Sequence, residues 1–188
     1  MKERLENLFA SATFHLSRTF GLLPLFYLFA LRRGEPARRI LFVCKGNICR
    51  SPYAEAKLRS LLKESDVEVR SAGLETTPGK SADTCGARVA ATLGVDLSAH
   101  RTASMNPELP AWADLVVVMD QSHRALVAKL YPSALPKTLY LGALAPTLAE
   151  GPIMPDPYGR PDAVFESCYR RIDRALEELV KVIAPTRT

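Results

Sequence analysis

The chain predicts an α/β fold: one doubly wound domain on a four-stranded parallel sheet flanked by helices, behind an apolar N-terminal helical extension. Three observations lead there. Four short apolar runs, at 39–43, 67–71, 114–118 and 138–141, have the length and composition of strands. Stretches of helical period alternate with them, at 53–64, 80–94, 122–131 and 162–183, and strand–helix alternation implies parallel strands joined by crossovers. Finally, 188 residues at 47% hydrophobic content suffice for one sizeable core, within the usual single-domain range. The expected boundaries are an extension at 1–38, a domain at 39–184 and a tail at 185–188.

The first strand, Ile40-Leu41-Phe42-Val43, runs into a loop and then the helix beginning near Tyr53. Val67-Glu68-Val69-Arg70-Ser71 alternates as a second strand, and Leu115-Val116-Val117-Val118 forms a third. In the last helix Val164, Phe165, Tyr169, Ile172, Leu176, Leu179, Val180 and Ile183 recur at helical spacing, a core stripe. There is no internal repeat and no low-complexity tract. In such a fold catalytic loops lie at the carboxyl ends of the strands.

The most informative loop follows the first strand: Cys44-Lys45-Gly46-Asn47-Ile48-Cys49-Arg50-Ser51-Pro52. Inward-facing N–H groups of Lys45, Gly46, Asn47, Ile48, Cys49, Arg50 and Ser51 would cradle a phosphate, aided by the N-terminus of the next helix. Arg50 can hold two phosphate oxygens at once. The same positive field favours the ionised, nucleophilic sulfur at Cys44. Gly46 and Asn47 tolerate the positive φ that such a loop needs. Ser51 can donate to the sulfur. Pro52 suits a helix's first turn, where its missing N–H costs nothing. A proton donor must come from elsewhere, and Asp156-Pro157-Tyr158, in a turn-rich stretch, offers a carboxylic acid beside an aromatic face.

Val43 through Pro52 resembles the active-site signature of the low-molecular-weight protein tyrosine phosphatases. The resemblance covers roughly residues 38–184, with Ser71-Ala72-Gly73 and Met119-Asp120 similar to the ends of the family's second and third strands. It implies a protein tyrosine phosphatase, a hydrolase that passes through a cysteinyl-phosphate with neither metal nor cofactor. Cys44 would be the nucleophile, Arg50 the phosphate and transition-state clamp, and Asp156 the general acid. Asn47 would brace the loop, Ser51 assist the thiolate, Ser71 join the network beneath, and Tyr158 form a substrate wall. Gly159 stands where many members carry a second aromatic. His100 lacks the Ala-Arg pair that often follows it in the family; support of the loop network and a surface position before a turn fit it equally, and neither His100 nor His123 is expected to be catalytic.

Other readings compete. Gly73 to Ser81 is similar to a nucleotide loop, but five residues separate its first two glycines instead of four, so it reads as a connecting loop. Cys44 and Cys49 can form a reversible disulfide when a reactive thiolate is oxidised, a behaviour the resemblance supports. Cys85 and Cys168 fall on helices and read as packed thiols. Thioredoxin-coupled arsenate reductases share the fold and loop but use a closely spaced pair of cysteines near the position of Cys85, where this chain has one. A phosphate-holding module without turnover is the remaining alternative.

Residues 1–39 carry seven Lys or Arg against three acids, most of the net +5 charge. The uncharged run 19–31 is shorter than the roughly 20 residues of a membrane span and contains Pro24. An interfacial membrane helix, a segment packed on the domain or a partner, and a cleaved signal or true span all fit. Nothing resembles a nucleic-acid motif. The expected partner is a phosphotyrosine protein, with a bacterial tyrosine kinase suggested by the family. The expected location is cytoplasmic, with membrane-surface contact through residues 1–38 following only from the first of those three readings.

Overall fold

The structure, a computed structural model, describes residues 37–63, 65–145 and 151–184. Most of the expected extension and all of the tail lie outside the described residues. The elements run β1 (Arg39–Cys44), α1 (Arg50–Leu61), β2 (Glu68–Gly73), α2 (Thr84–Thr92), α3 (Glu108–Trp112), β3 (Leu115–Val118), α4 (Gln121–Leu130), β4 (Thr138–Tyr140) and α5 (Asp162–Ile183). Two short 3-10 turns, Pro132–Lys137 and Leu141–Ala143, flank β4.

The four strands are all parallel, in the order β2-β1-β3-β4. β1 pairs with β2 from Arg39↔Glu68 to Cys44↔Gly73, and with β3 from Ile40↔Leu115 to Val43↔Val118. The chain leaves β1 toward β2, then crosses back to β3 on the other side. This reversal opens a crevice between the carboxyl ends of β1 and β3, where ligands bind in open α/β sheets.

Strand side chains alternate between faces, so the sheet has two cores. Ile40 and Phe42 face α1, α2 and α5, meeting Tyr53, Leu58, Val89, Phe165, Tyr169, Ile172 and Leu176. Leu41 and Val43 face the other way with Val116, Val118, Ala113 and Val127 of α4. Each fully buried aliphatic side chain contributes roughly 2 kcal/mol. In α5 the predicted stripe is buried at Phe165, Tyr169, Ile172, Leu176, Leu179 and Ile183, while Val164 and Val180 sit at its margin. Tyr169 stacks on Tyr53 with ring centroids 3.8 Å apart, locking α5 to α1.

Element ends differ from the sequence expectation where caps decide them. α1 begins at Arg50, three residues earlier than periodicity suggests, because the loop after Cys44 turns directly into the helix. α2 begins at Thr84 and not near Lys80, since Asp83 accepts from the Gly86 N–H and caps the helix there. It ends at Thr92, and Gly94 just beyond takes a φ of 75°, the left-handed conformation common after a helix. Gly73–Ser81 is a connecting loop. The short α3, rich in apolar residues but only five long, was not legible from its period. No described helix is long and apolar enough to cross a membrane.

Candidate active site

Cys44 closes β1, and the next residues reverse the chain into α1. The reversal is possible because Asn47 takes the left-handed conformation, φ 53°, an uncommon backbone for a residue with a Cβ. Its fully buried side chain repays the strain by joining three other parts of the chain. Asn47 Nδ2 donates to Ser51 Oγ at 2.9 Å and to Ser71 Oγ at 2.8 Å. Its Oδ1 accepts from the Ala103 N–H at 2.9 Å, which settles the orientation of the amide. Its backbone carbonyl meets His100 Nε2 at 2.8 Å. A carbonyl only accepts, so the His100 proton resides on Nε2.

That network sets the sulfur's environment. Cys44 Sγ lies 2.9 Å from Ser51 Oγ and accepts from the Asn47 N–H at 3.2 Å. Ser51 Oγ already accepts from Asn47, so its own hydrogen is free to point at the sulfur. Ser71 likewise accepts from Asn47 and donates to Glu55 on α1. Gly73 lies directly beneath the loop. A Cβ there would stand 2.9 Å from Lys45 O and 3.1 Å from the Asn47 Cβ, so only glycine permits this approach. Among the other loop residues, Lys45 is exposed and pairs with Glu75 at 3.5 Å, Ile48 is half-buried, and the Cys49 carbonyl accepts from Tyr169 Oη.

Arg50 is only 3% exposed. Its Nη1 donates to Asp120 Oδ2 and to the Met154 carbonyl, both at 3.1 Å, which fixes the plane of the guanidinium. Its Nη2 lies 3.1 Å from Asp156 Oδ2. Asp120, just past β3, also caps α4 by accepting from the His123 N–H. Burial pushes Asp120 up, but the Ser122 hydroxyl, the His123 N–H and the charges of His123 and Arg50 outweigh it, leaving the carboxyl below its usual range. Behind it His123 is 2% exposed, and burial depresses it to about 4. The ring is therefore neutral at neutral pH, with Nδ1 3.3 Å from Asp120 Oδ2 but outside hydrogen-bond alignment.

Asp156 is half exposed beside this buried cation, and its Oδ1 accepts from the Tyr158 N–H at 3.3 Å. Tyr158 is itself 62% exposed. The structure thus gathers Cys44, Asn47, Arg50, Ser51, Ser71 and Asp156 into one site, with Tyr158 at its open side. It adds Asp120, Glu55 and the Met154 carbonyl, which sequence reasoning left without a role, and it brings in His100, for which support of the loop and a plain surface position were both open. Asp120 stood in plain view at the end of an apolar run, and only its contact with Arg50 gives it a function.

The four cysteines are free thiols. Burial, aided by the charges of Asp83, Cys44 and Asp156, pushes the Cys49 thiol well up. Cys168 is buried against the Pro155 carbonyl and pushed up to about 12. Cys85 packs against the core, as its helical position suggested, but is only partly buried. α2 starts late, so Cys85 falls in the first turn, half exposed, with its thiol 2.9 Å from Asp162 Oδ1. That hydrogen bond, more than burial, raises its pKa. Among the described residues no cluster of three or more His, Cys, Asp or Glu is placed to hold a metal ion.

A doubly wound sheet whose first strand delivers a cysteine into an Arg-clamped phosphate loop defines a cysteine-dependent phosphatase domain. Comparison with known proteins makes this specific: the chain belongs to the family described as low molecular weight phosphotyrosine protein phosphatase, which it matches over residues 39–187. It is 37% identical over 142 residues to the low molecular weight protein-tyrosine-phosphatase Etp of Escherichia coli (strain K12), covering 76% of this chain and 92% of the relative. It is 33% identical over 143 residues to a protein-arginine-phosphatase of Geobacillus stearothermophilus, covering 76% of this chain and 94% of that one. The crystal structure of the Erwinia amylovora tyrosine phosphatase amsI superposes with a TM-score of 0.74 at 33% identity, covering 81% of this chain and 97% of that one.

Proposed function

We propose that residues 39–184 form a protein tyrosine phosphatase that hydrolyses aryl phosphate monoesters through a phosphocysteine at Cys44. The observation that carries the reading is the convergence of Cys44, bonded by Ser51 and the Asn47 N–H, with Arg50 and its neighbour Asp156. In the first step the Cys44 sulfur attacks phosphorus in line. The S–P bond forms, the P–O bond to the aryl group breaks, and the Asp156 proton passes to the departing oxygen. Nη1 of Arg50 is committed to Asp120 and Met154 and one side of Nη2 faces Asp156, which leaves the second Nη2 hydrogen for the phosphoryl oxygens as charge builds on them. In the second step Asp156 takes a proton from water, the resulting hydroxyl attacks phosphorus, and the S–P bond breaks. Inorganic phosphate leaves, and the thiolate returns to the hydrogen bonds of Ser51 and Asn47.

The substrate is a phosphoprotein. A bacterial tyrosine kinase is our reading of the particular partner, the enzyme acting in the cytoplasm with residues 1–38 contacting a membrane surface. The test is hydrolysis of a phosphotyrosine peptide, a phosphoarginine peptide and arsenate reduction with thioredoxin, side by side. Preference for phosphotyrosine is expected. Turnover confined to phosphoarginine or to arsenate would overturn the assignment. So would a Cys44→Ser protein that retained aryl phosphatase activity, and a non-catalytic module would release no aryl alcohol at all.

A further inference from the structure

The segment that carries Asp156 is gripped along both edges. On one side the Met154 N–H donates to Met119 O at 2.8 Å and the Met154 carbonyl accepts from Arg50. On the other side three carbonyls turn toward α5. Arg171 donates from Nη1 to Ile153 O at 2.6 Å and from Nη2 to Gly151 O, while Cys168 Sγ lies 3.5 Å from Pro155 O. Residues 151, 153 and 155 alternate, as carbonyls on one edge of an extended chain do. Positions 168 and 171 share one face of a helix. The two elements therefore meet in register, and the nearer of the two carbonyls held by Arg171, that of Ile153, lies three residues before the carboxyl that faces Arg50.

Arg171 is unusual in its place. It is 5% exposed on the core side of α5, next to fully buried Ile172. A guanidinium there is costly to desolvate, and two backbone carbonyls of a loop offset that cost. Gly142 adds a second constraint, since a Cβ there would meet Pro152 O at 2.5 Å. Packing alone would be served by an apolar side chain. What the arginine adds is a fixed position for the acid-bearing segment.

We propose that Arg171 is a positioning residue for proton donation: by pinning the Gly151 and Ile153 carbonyls to α5 it holds Asp156 at Arg50 and at the departing oxygen. The proposal rests on the reading of Asp156 as general acid. A displacement of about 1 Å at such a group can cost on the order of 100-fold in rate. The loss falls selectively on substrates whose leaving oxygen needs a proton.

The test uses the full chain and the ratio of kcat/KM for phenyl phosphate, a poor leaving group, to that for p-nitrophenyl phosphate, a good one. kcat/KM reports the step in which the aryl oxygen departs, and a ratio is insensitive to the fraction of folded enzyme. Arg171→Met is expected to lower the ratio about tenfold, and Arg171→Lys, which keeps a charge and one contact, about threefold. Asp156→Asn should lower it on the order of 100-fold or more. An unchanged ratio in Arg171→Met, whether both rates fall together or neither falls, overturns the proposal. If that variant does not fold, an unchanged ratio in Arg171→Lys overturns it equally. An unchanged ratio in Asp156→Asn sinks the acid reading itself, and Arg171 loses its role with it.

Discussion

Acidification removes stability through His123. The ring is 2% exposed and shares its pocket with Asp120 and Arg50, with Asp156 and Glu75 acting more weakly. Burial lowers it from 6.5 to about 4; Arg50 adds to the effect, and Asp120 opposes it. In the unfolded chain the same imidazole titrates near 6.5. The native state therefore binds fewer protons than the unfolded state between these values. Stability is whole above pH 6.5, falls as pH drops from 6.5 toward 4, and levels off below. The full loss is about 3 kcal/mol, of which about 2 kcal/mol is gone by pH 5. Urea unfolding followed by circular dichroism at pH 7 and pH 5 measures it. The wild-type chain should lose about 2 kcal/mol more over this interval than His123→Gln, since other titrations are common to both. Equal losses would mean that His123 is protonated in the native state, paired with Asp120, and that burial does not dominate its pocket.

Three further substitutions probe the site and its support. Gly73→Ala forces a methyl against Lys45 O and the Asn47 Cβ, so it should cost about 1–3 kcal/mol in urea unfolding and lower kcat/KM by a larger factor than the folded fraction explains. Asn47→Gly keeps the left-handed backbone but removes the side chain that joins Ser51, Ser71 and Ala103. It should lower kcat/KM for p-nitrophenyl phosphate by tenfold or more, roughly the worth of one buried hydrogen bond, and near-normal activity would show that the backbone conformation alone organises the loop. Tyr53→Phe keeps the stack on Tyr169 and deletes the hydroxyl that donates to Asp173. Thermal unfolding should report a loss of about 1–3 kcal/mol with kcat/KM unchanged.

What could be read from the chain was local. The apolar runs marked the four strands to within a residue or two, because strand length and apolar content are properties of neighbours in sequence. The cysteine, the arginine and the turn-forming residues of the loop after β1 stood out together because they occupy nine consecutive positions. Residues 1–36 lie outside the described structure, so the three readings of that stretch stand as the sequence left them. Where helices begin was harder, since the Asp83 cap decides the start of α2 and the turn out of the preceding loop decides that of α1, neither through periodicity.

Distance in sequence marks what only the folded chain decided. Arg50 meets Asp120 seventy positions away and the Met154 carbonyl a hundred and four away. His100 reaches the loop across fifty-three residues to an atom of the backbone, which carries no sequence signature. Arg171 looks like one more charge on a helix until two carbonyls of the acid-bearing segment are found against it. The loop residues at this site stand together in one stretch of sequence. Their partners follow from the reversal of strand order between β1 and β3, which brings distant chain ends into one crevice and is a property of topology.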